Sequence, residues 1–194
     1  MALSQEIIDR FTKSMHEARI TGEQEPTAMV LGTSDGQGLV TTRTVLLKAL
    51  DADGFVFFTN TLSLKAQQMA QCPRVAATFL WKVIYCQVRL AGTVTPVSDA
   101  EADAYFATRD RGSQVGAWAS QQSQPLDSRE TLMRQVREYE QKFADMEVPR
   151  PPYWSGYRIQ PETVEFWHGH EFRLHDRFLY SQTDLGWQMT RLYP

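Results

Sequence analysis

The sequence predicts a mainly β, α+β fold: an antiparallel barrel or strongly curled sheet with helices outside it. Three observations carry this. Apolar and polar residues alternate in short runs punctuated by Asp35-Gly36 and Asp53-Gly54, the pattern of half-buried strands and tight turns. The runs follow one another too closely for βαβ crossovers, so neighbours pair antiparallel. Only a few stretches repeat apolar residues at helical spacing. Roughly seven or eight strands and three to four helices result, with no internal repeat.

Ile7, Ile8, Phe11, Met15 and Ala18 lie at helical spacing behind Ser4, a plausible cap, and define a helix over about 4–20. Ala28–Thr33 reads as a strand, and Asp35-Gly36 turns it into a second over Leu39–Leu50. Asp51-Ala52-Asp53-Gly54 turns again into Phe55–Asn60. Ser63 caps a short helix stopped by Pro73. Val75–Lys82 and Tyr85–Val97 are two more strands. Ser98-Asp99-Ala100-Glu101 is a capping box opening a helix to about Thr108. Leu132, Val136, Tyr139 and Phe143 stripe a longer helix, ended by Pro149, Pro151 and Pro152. Strands around Tyr157, Phe166 and Arg173–Tyr180 follow, with Trp187–Leu192 last.

At 194 residues, 42% of them hydrophobic and 22% charged, the chain can bury a sizeable core as one domain. A net charge of -3 gives no global field for nucleic acid, so an anion would need a local cluster. Two cysteines, Cys72 and Cys86, make no disulfide framework and fit a reducing compartment. No leader pattern and no apolar span of ~20 residues is present, so no membrane partner and a cytoplasmic location are expected.

No metal is expected: His168 and His170 share a strand parity, but no third ligand follows at a recognisable spacing. Neither a Walker A loop nor G-x-G-x-x-G occurs. The distinctive pattern is a scatter of cations and hydroxyls. Read as a strand, Arg173–Arg177 puts Arg173, His175 and Arg177 on one face, where they repel unless an anion sits among them. The plainer reading is a solvated edge strand that deters aggregation by charge. Arg43 and Lys48 are five apart, on opposite faces of an ideal strand, so either a bulge intervenes or they serve different ligands. Ser63 and Lys65 begin a helix, where free N–H groups favour an anion. Tyr105, Arg109, Arg111 and Ser113 cluster where the capped helix ends. Singly each reads as surface charge; together they point to two phosphate sites, with Trp118, Trp154 and Trp167 available to wall a flat ring or to pack the core.

In order along the chain stand Arg43-Thr44-Val45-Leu46-Leu47-Lys48; Phe57-Phe58-Thr59-Asn60 with Ser63 and Lys65; Gln87-Val88; Tyr105-Phe106 with Arg109, Arg111 and Ser113; Gly116-Ala117-Trp118 with Ser120, Gln122 and Ser123; Tyr153-Trp154 with Gly156; Glu165-Phe166-Trp167 with Arg173-Leu174-His175-Asp176-Arg177; and the closing Arg191-Leu192 and Pro194. This series, from about Pro26 to Pro194, resembles the pyridoxine/pyridoxamine 5′-phosphate oxidase family. The resemblance implies an antiparallel FMN-binding split β-barrel, here one domain over 1–194, with segment 153–194 completing the site. It implies a homodimer with FMN sites at the subunit interface, a phosphorylated B6 vitamer as substrate, and O2 as acceptor, reduced to H2O2.

By the same resemblance Arg43, Val45, Leu46, Leu47, Lys48, Phe58, Thr59, Lys65, Gln87, Gln122, Ser123, Trp167 and Arg177 would hold FMN. Lys48, Tyr105, Arg109 and Ser113 would hold the substrate phosphate. Arg173 and His175 would be catalytic, over the pyridine ring. Departures from the family pattern are Leu64 for an arginine near the FMN phosphate, Cys86 for an arginine, Asp110 for a proline, Ser155 for a glycine and Tyr193 for a small residue. Little chain precedes the first helix to form the arm the family often folds over its site. Two alternatives share the fold: a flavin oxidase of another ring, such as a phenazine precursor, and a non-catalytic FMN or pyridoxal phosphate binder.

Overall fold

The computed structural model describes all 194 residues. In chain order the elements are α1 (Gln5–Ile20), β1 (Ala28–Ser34), β2 (Val40–Leu46), β3 (Ala49–Asp51), β4 (Gly54–Asn60), α2 (Leu64–Gln71), β5 (Arg74–Trp81), β6 (Cys86–Pro96), α3 (Asp99–Ala107), α4 (Arg111–Ala119), α5 (Arg129–Lys142), β7 (Trp154–His168), β8 (Asp176–Thr183) and β9 (Gly186–Leu192). Every strand pairing is antiparallel. No helix is long and apolar enough to cross a membrane.

The sheet runs β2-β1-β5-β6-β7-β4-β3, so its two ends are consecutive in sequence. Only Leu47 and Lys48 separate β2 from β3. The Leu47 N–H donates to Thr27 O on one side at 2.9 Å, and the Lys48 N–H to Val56 O on the other at 2.8 Å. These two residues close the curled sheet on itself. The predicted Leu39–Leu50 strand is therefore interrupted there, because one backbone cannot follow both neighbours without changing partners.

β7 holds the second junction. β6 pairs along its whole length, while β4 pairs with its first half and β8 with its second. A register shift lies between Ala91 and Gly92, opposite Pro161. Proline lacks a ladder donor and is tolerated in a sheet at such a bulge. A side chain at Gly92 would meet Gln160 O at 2.1 Å, so only glycine permits this approach. Tyr157 and Phe166, read from sequence as two strands, thus share one 15-residue strand with a bulge between them.

Ser4 caps α1 by accepting from the Ile7 N–H, and Ile7, Phe11, Ser14 and Ala18 form its buried face. Phe11 stands edge-on to Phe55 and Phe79, with ring centroids 5.1 and 4.9 Å apart. All three rings are fully buried, and each contributes about 1.5–3 kcal/mol through lost water contact. A smaller cluster of Phe106, Val115, Phe143, Val148 and Trp154 anchors α3–α5 against the start of β7. α4 has no counterpart among the sequence-predicted helices.

Candidate functional site

A cavity of about 860 Å³ opens where the sheet closes. β2 supplies Arg43, Thr44, Val45 and Leu46; the closure supplies Lys48; and β4 supplies Phe58, Thr59 and Asn60. Lys65 comes from the first turn of α2. Tyr105, Thr108, Arg109, Asp110 and Ser113 come from the α3–α4 corner, and Ser120, Gln122 and Trp154 complete the rim. Arg43 and Lys48 meet here because the break after Leu46 cancels their opposite strand parity.

At one end, the Lys65 ammonium donates to Thr59 Oγ1 at 2.9 Å, Ser63 Oγ at 3.0 Å and Gln122 Oε1 at 2.6 Å. It is 7% exposed, and all three partners are neutral. Burial, and then the nearby Arg43 guanidinium, push its pKa down to about 8. Arg43 donates to Leu31 O at 3.1 Å, Thr33 Oγ1 at 2.7 Å and Thr41 Oγ1 at 2.5 Å. Thr33 and Thr41 in turn donate to Gln68 Oε1, a buried amide on α2. No carboxylate pairs with either cation. A buried and a half-buried cation side by side, with only neutral oxygens around them, suit a phosphate dianion. Ser63 begins α2 as expected, but its hydroxyl donates to Asn60 O and receives Lys65, so it makes no side-chain cap.

At the other end stand Lys48, Tyr105, Arg109 and Ser113. Phe58 stacks on Tyr105 at 4.1 Å and on Trp154 at 5.3 Å, in nearly parallel planes. Glycine at 156 allows this wall, since any side chain there would lie 2.6 Å from the Phe58 ring. The Arg109 guanidinium lies over Trp154 at 4.9 Å and over Phe106 at 5.6 Å. Its Nη1 is buried with no hydrogen-bond partner. Such an orphaned donor is costly unless a ligand accepts from it.

Sequence reasoning missed Thr44, Asn60, Thr108 and Ser120 as lining residues, and it missed α4 entirely. Asp110 was read only as a departure, yet its Oδ1 accepts from the Ser113 N–H at 2.8 Å and caps α4. An Asp three residues ahead of a first-turn N–H was the available signal. Arg111, grouped with Arg109 by sequence, turns away to the Phe143 and Met146 carbonyls.

The remaining sequence-predicted residues lie outside this cavity. Leu47 is buried in the core. Ser123 is exposed beside Gln122, with its backbone left-handed at φ 74°. Gln87, Trp167 and Arg177 stand in one cross-strand row, Gln87 opposite Trp167 and Trp167 opposite Arg177. Directly paired residues point to the same face, here opposite the one that buries Val88 and Phe166. Arg177 is already engaged: both Glu165 oxygens accept from it, at 2.7 and 3.2 Å, and Arg89 pairs with the same carboxylate.

The predicted strand through Arg173–Arg177 is corrected. β8 begins only at Asp176, and Glu171–Arg173 form a 3-10 turn. Phe172 and Arg173 both adopt left-handed backbone, at φ 55° and 61°. Arg173, His175 and Arg177 therefore do not share one extended face. The His175 ring lies 4.6 Å from Trp167, and its Nδ1 accepts from the His170 N–H at 3.1 Å. With Leu174, Asp176, Arg191 and the chain end, His175 lines a second cavity of about 410 Å³.

Comparison with known proteins places these features in a family. Residues 15–143 match the family described as pyridoxamine 5′-phosphate oxidase, and residues 154–194 match its pyridoxine 5′-phosphate oxidase C-terminal dimerisation region. A pyridoxine/pyridoxamine 5′-phosphate oxidase of Rubrobacter xylanophilus is 51% identical over 187 residues, 96% of this chain and 86% of that one. One from Caulobacter vibrioides is 51% identical over 184 residues, 95% of this chain and 83% of that one. The crystal structure of PhzG from Burkholderia lata, in complex with tetrahydrophenazine-1-carboxylic acid, superposes with a TM-score of 0.92 at 27% identity. It covers 96% of this chain and 92% of that one.

Proposed function

The chain belongs to the pyridoxamine 5′-phosphate oxidase family, and we propose that it oxidises pyridoxamine 5′-phosphate or pyridoxine 5′-phosphate to pyridoxal 5′-phosphate, with FMN as cofactor and O2 as acceptor, releasing H2O2. One observation carries this reading: a single cavity gathers two groups of cations without carboxylate partners, Arg43 with Lys65 and Lys48 with Arg109, and an aromatic wall of Phe58, Tyr105 and Trp154. That is the charge pattern needed by two phosphorylated rings lying together.

Arg43 and Lys65 fit the FMN phosphate, with Thr59 and Gln122 beside it and the Val45–Lys48 segment and Phe58 along the ring system. Lys48, Tyr105, Arg109 and Ser113 fit the substrate phosphate, the Arg109 fork supplying two parallel donors. FMN held by Arg43, Lys65, Thr59 and Gln122 would supply the acceptor for a hydride equivalent from the substrate carbon that bears the amine or hydroxyl.

The matched dimerisation region, residues 154–194, supports a homodimer. It carries Trp167, Arg173, His175 and Arg177, which lie away from the cavity within one chain. In the proposed dimer the same residues of a second copy, with Gln87, complete each cavity at the subunit interface. Gln87 would donate to the flavin ring. Arg173 and His175 hold the pyridine. Because His175 Nδ1 accepts a hydrogen bond, the neutral ring carries its proton on Nε2, the atom free to donate to the phenolic oxygen. The free thiols of Cys72 and Cys86 suit a cytoplasmic location.

The likeness to PhzG favours a second reading, oxidation of a phenazine precursor. The Lys48, Tyr105, Arg109 and Ser113 set favours the phosphorylated pyridine. An absorbance spectrum and a peroxide assay decide. A flavin spectrum with peroxide released on pyridoxamine or pyridoxine 5′-phosphate is expected. Flavin without peroxide on either vitamer would remove this reading; peroxide on a phenazine precursor would then select the second one, and its absence there too would leave a binder.

A further inference from the structure

The substrate-phosphate end of the cavity contains one acid. Among the lining residues, Lys48 and Arg109 face it as cations, and Asp110 is the only carboxylate in the whole cavity. Asp110 is not spent on an ion pair. Its Oδ1 caps α4 through the Ser113 N–H, and it makes no salt bridge with Arg109 or Lys48. Arg109 keeps a buried, unpartnered Nη1. The hydrogen bonds from Ser113 hold the Asp110 carboxyl below its ordinary range, so it stays charged at neutral pH.

A cap needs an acceptor oxygen, not a charge: asparagine caps as well as aspartate. The negative charge adds a favourable interaction with the N-terminus of α4, but the cap itself does not depend on it. It lowers the local charge from two cations to a net of one, beside the place where a dianion binds. We propose that Asp110 is a specificity-determining residue that weakens the pocket's hold on the phosphate, and so narrows the preference for phosphorylated over unphosphorylated rings. The inference rests on the assignment of this end of the cavity to the substrate phosphate. Because substrate and product carry the same phosphate, the weakening acts on both, and it limits retention of product as much as capture of substrate.

The test is Asp110→Asn in the FMN-loaded enzyme, where bound cofactor keeps free phosphate from the Arg43–Lys65 end. The dissociation constant of inorganic phosphate, read by titration calorimetry, is expected to fall about three- to tenfold, as is the inhibition constant of the phosphorylated product. The ratio of kcat/KM for phosphorylated over unphosphorylated pyridoxamine is expected to rise by a similar factor, with the dissociation constant of FMN unchanged. Asp110→Ala, which removes cap and charge together, separates the two roles by its lower melting temperature. Wild-type activity on phosphorylated vitamers, with equal phosphate affinity in wild type and Asp110→Asn, overturns the inference alone. Absence of wild-type activity on any phosphorylated vitamer overturns the assignment beneath it as well.

Discussion

Two groups of basic residues in this chain look alike in sequence and differ in structure. Around the cavity, Arg43, Lys65 and Arg109 have no carboxylate partner and are held by neutral oxygens and aromatic faces. On the outer face of β6–β8, Arg89 and Arg177 share the Glu165 carboxylate. A buried cation without a counter-charge is unfavourable in an isolated chain, and it is tolerated where a ligand supplies the charge. A cation already paired is oriented rather than waiting. The first group reads as anion pockets. The second is a rigid bracket that fixes Arg177 beside Trp167 and Gln87.

Lys65→Met should produce the largest effect. Removing a charged hydrogen-bond donor costs about 1.5–3 kcal/mol, so FMN affinity should fall by one to two orders of magnitude in a flavin-fluorescence titration. The wild type should also lose FMN affinity as pH rises through about 8, because Lys65 deprotonates there and binding must restore its proton. Lys65→Met should lack that dependence.

Glu165→Gln tests the other group. Burial alone would raise the Glu165 pKa, but hydrogen bonds from Arg177 and Arg89 outweigh it, and the net shift is downward. A depressed carboxylate pKa gives stability that is present above the ordinary value of about 4.5 and lost as pH falls through the folded one. The variant should lose about 1–2 kcal/mol at neutral pH, a figure reduced by the partial exposure of both arginines. Its melting temperature should fall less steeply below pH 5 than the wild type's. A parallel acid profile would mean the pair contributes nothing.

Leu64→Arg should give the smallest change. Leu64 is 46% exposed at the first position of α2, next to Lys65. An arginine there should tighten FMN several-fold. An unchanged dissociation constant would show that this position does not reach the phosphate.

The antiparallel barrel was legible because strand alternation and Asp-Gly turns are local signals, and so was the short helix behind Ser63. Besides α4 and the bulged strand β7, two further features were not. The closure at Leu47–Lys48 depends on which strands neighbour the ends of the sheet, and no local pattern reports that. The left-handed backbone at Phe172 and Arg173 carries no glycine or asparagine to announce it, so an R-x-H-x-R run read as a strand. Arg43, Lys48, Lys65, Tyr105, Arg109 and Ser113 stood out as cations and hydroxyls that could hold phosphate, whereas Phe58, Thr59, Gln122 and the division between cofactor and substrate came from the resemblance to a known family. The resemblance did not show that Gln87, Trp167, Arg173, His175 and Arg177 lie elsewhere in the same chain.

The central claim is that unpaired cations at the Arg43–Lys65 end recognise a phosphate. Comparing FMN with riboflavin, the same ring without the phosphate, tests it most directly. FMN should bind the wild type at least about a hundredfold more tightly, and Lys65→Met should erase most of that gap. Equal affinity of the wild type for the two flavins would contradict the account.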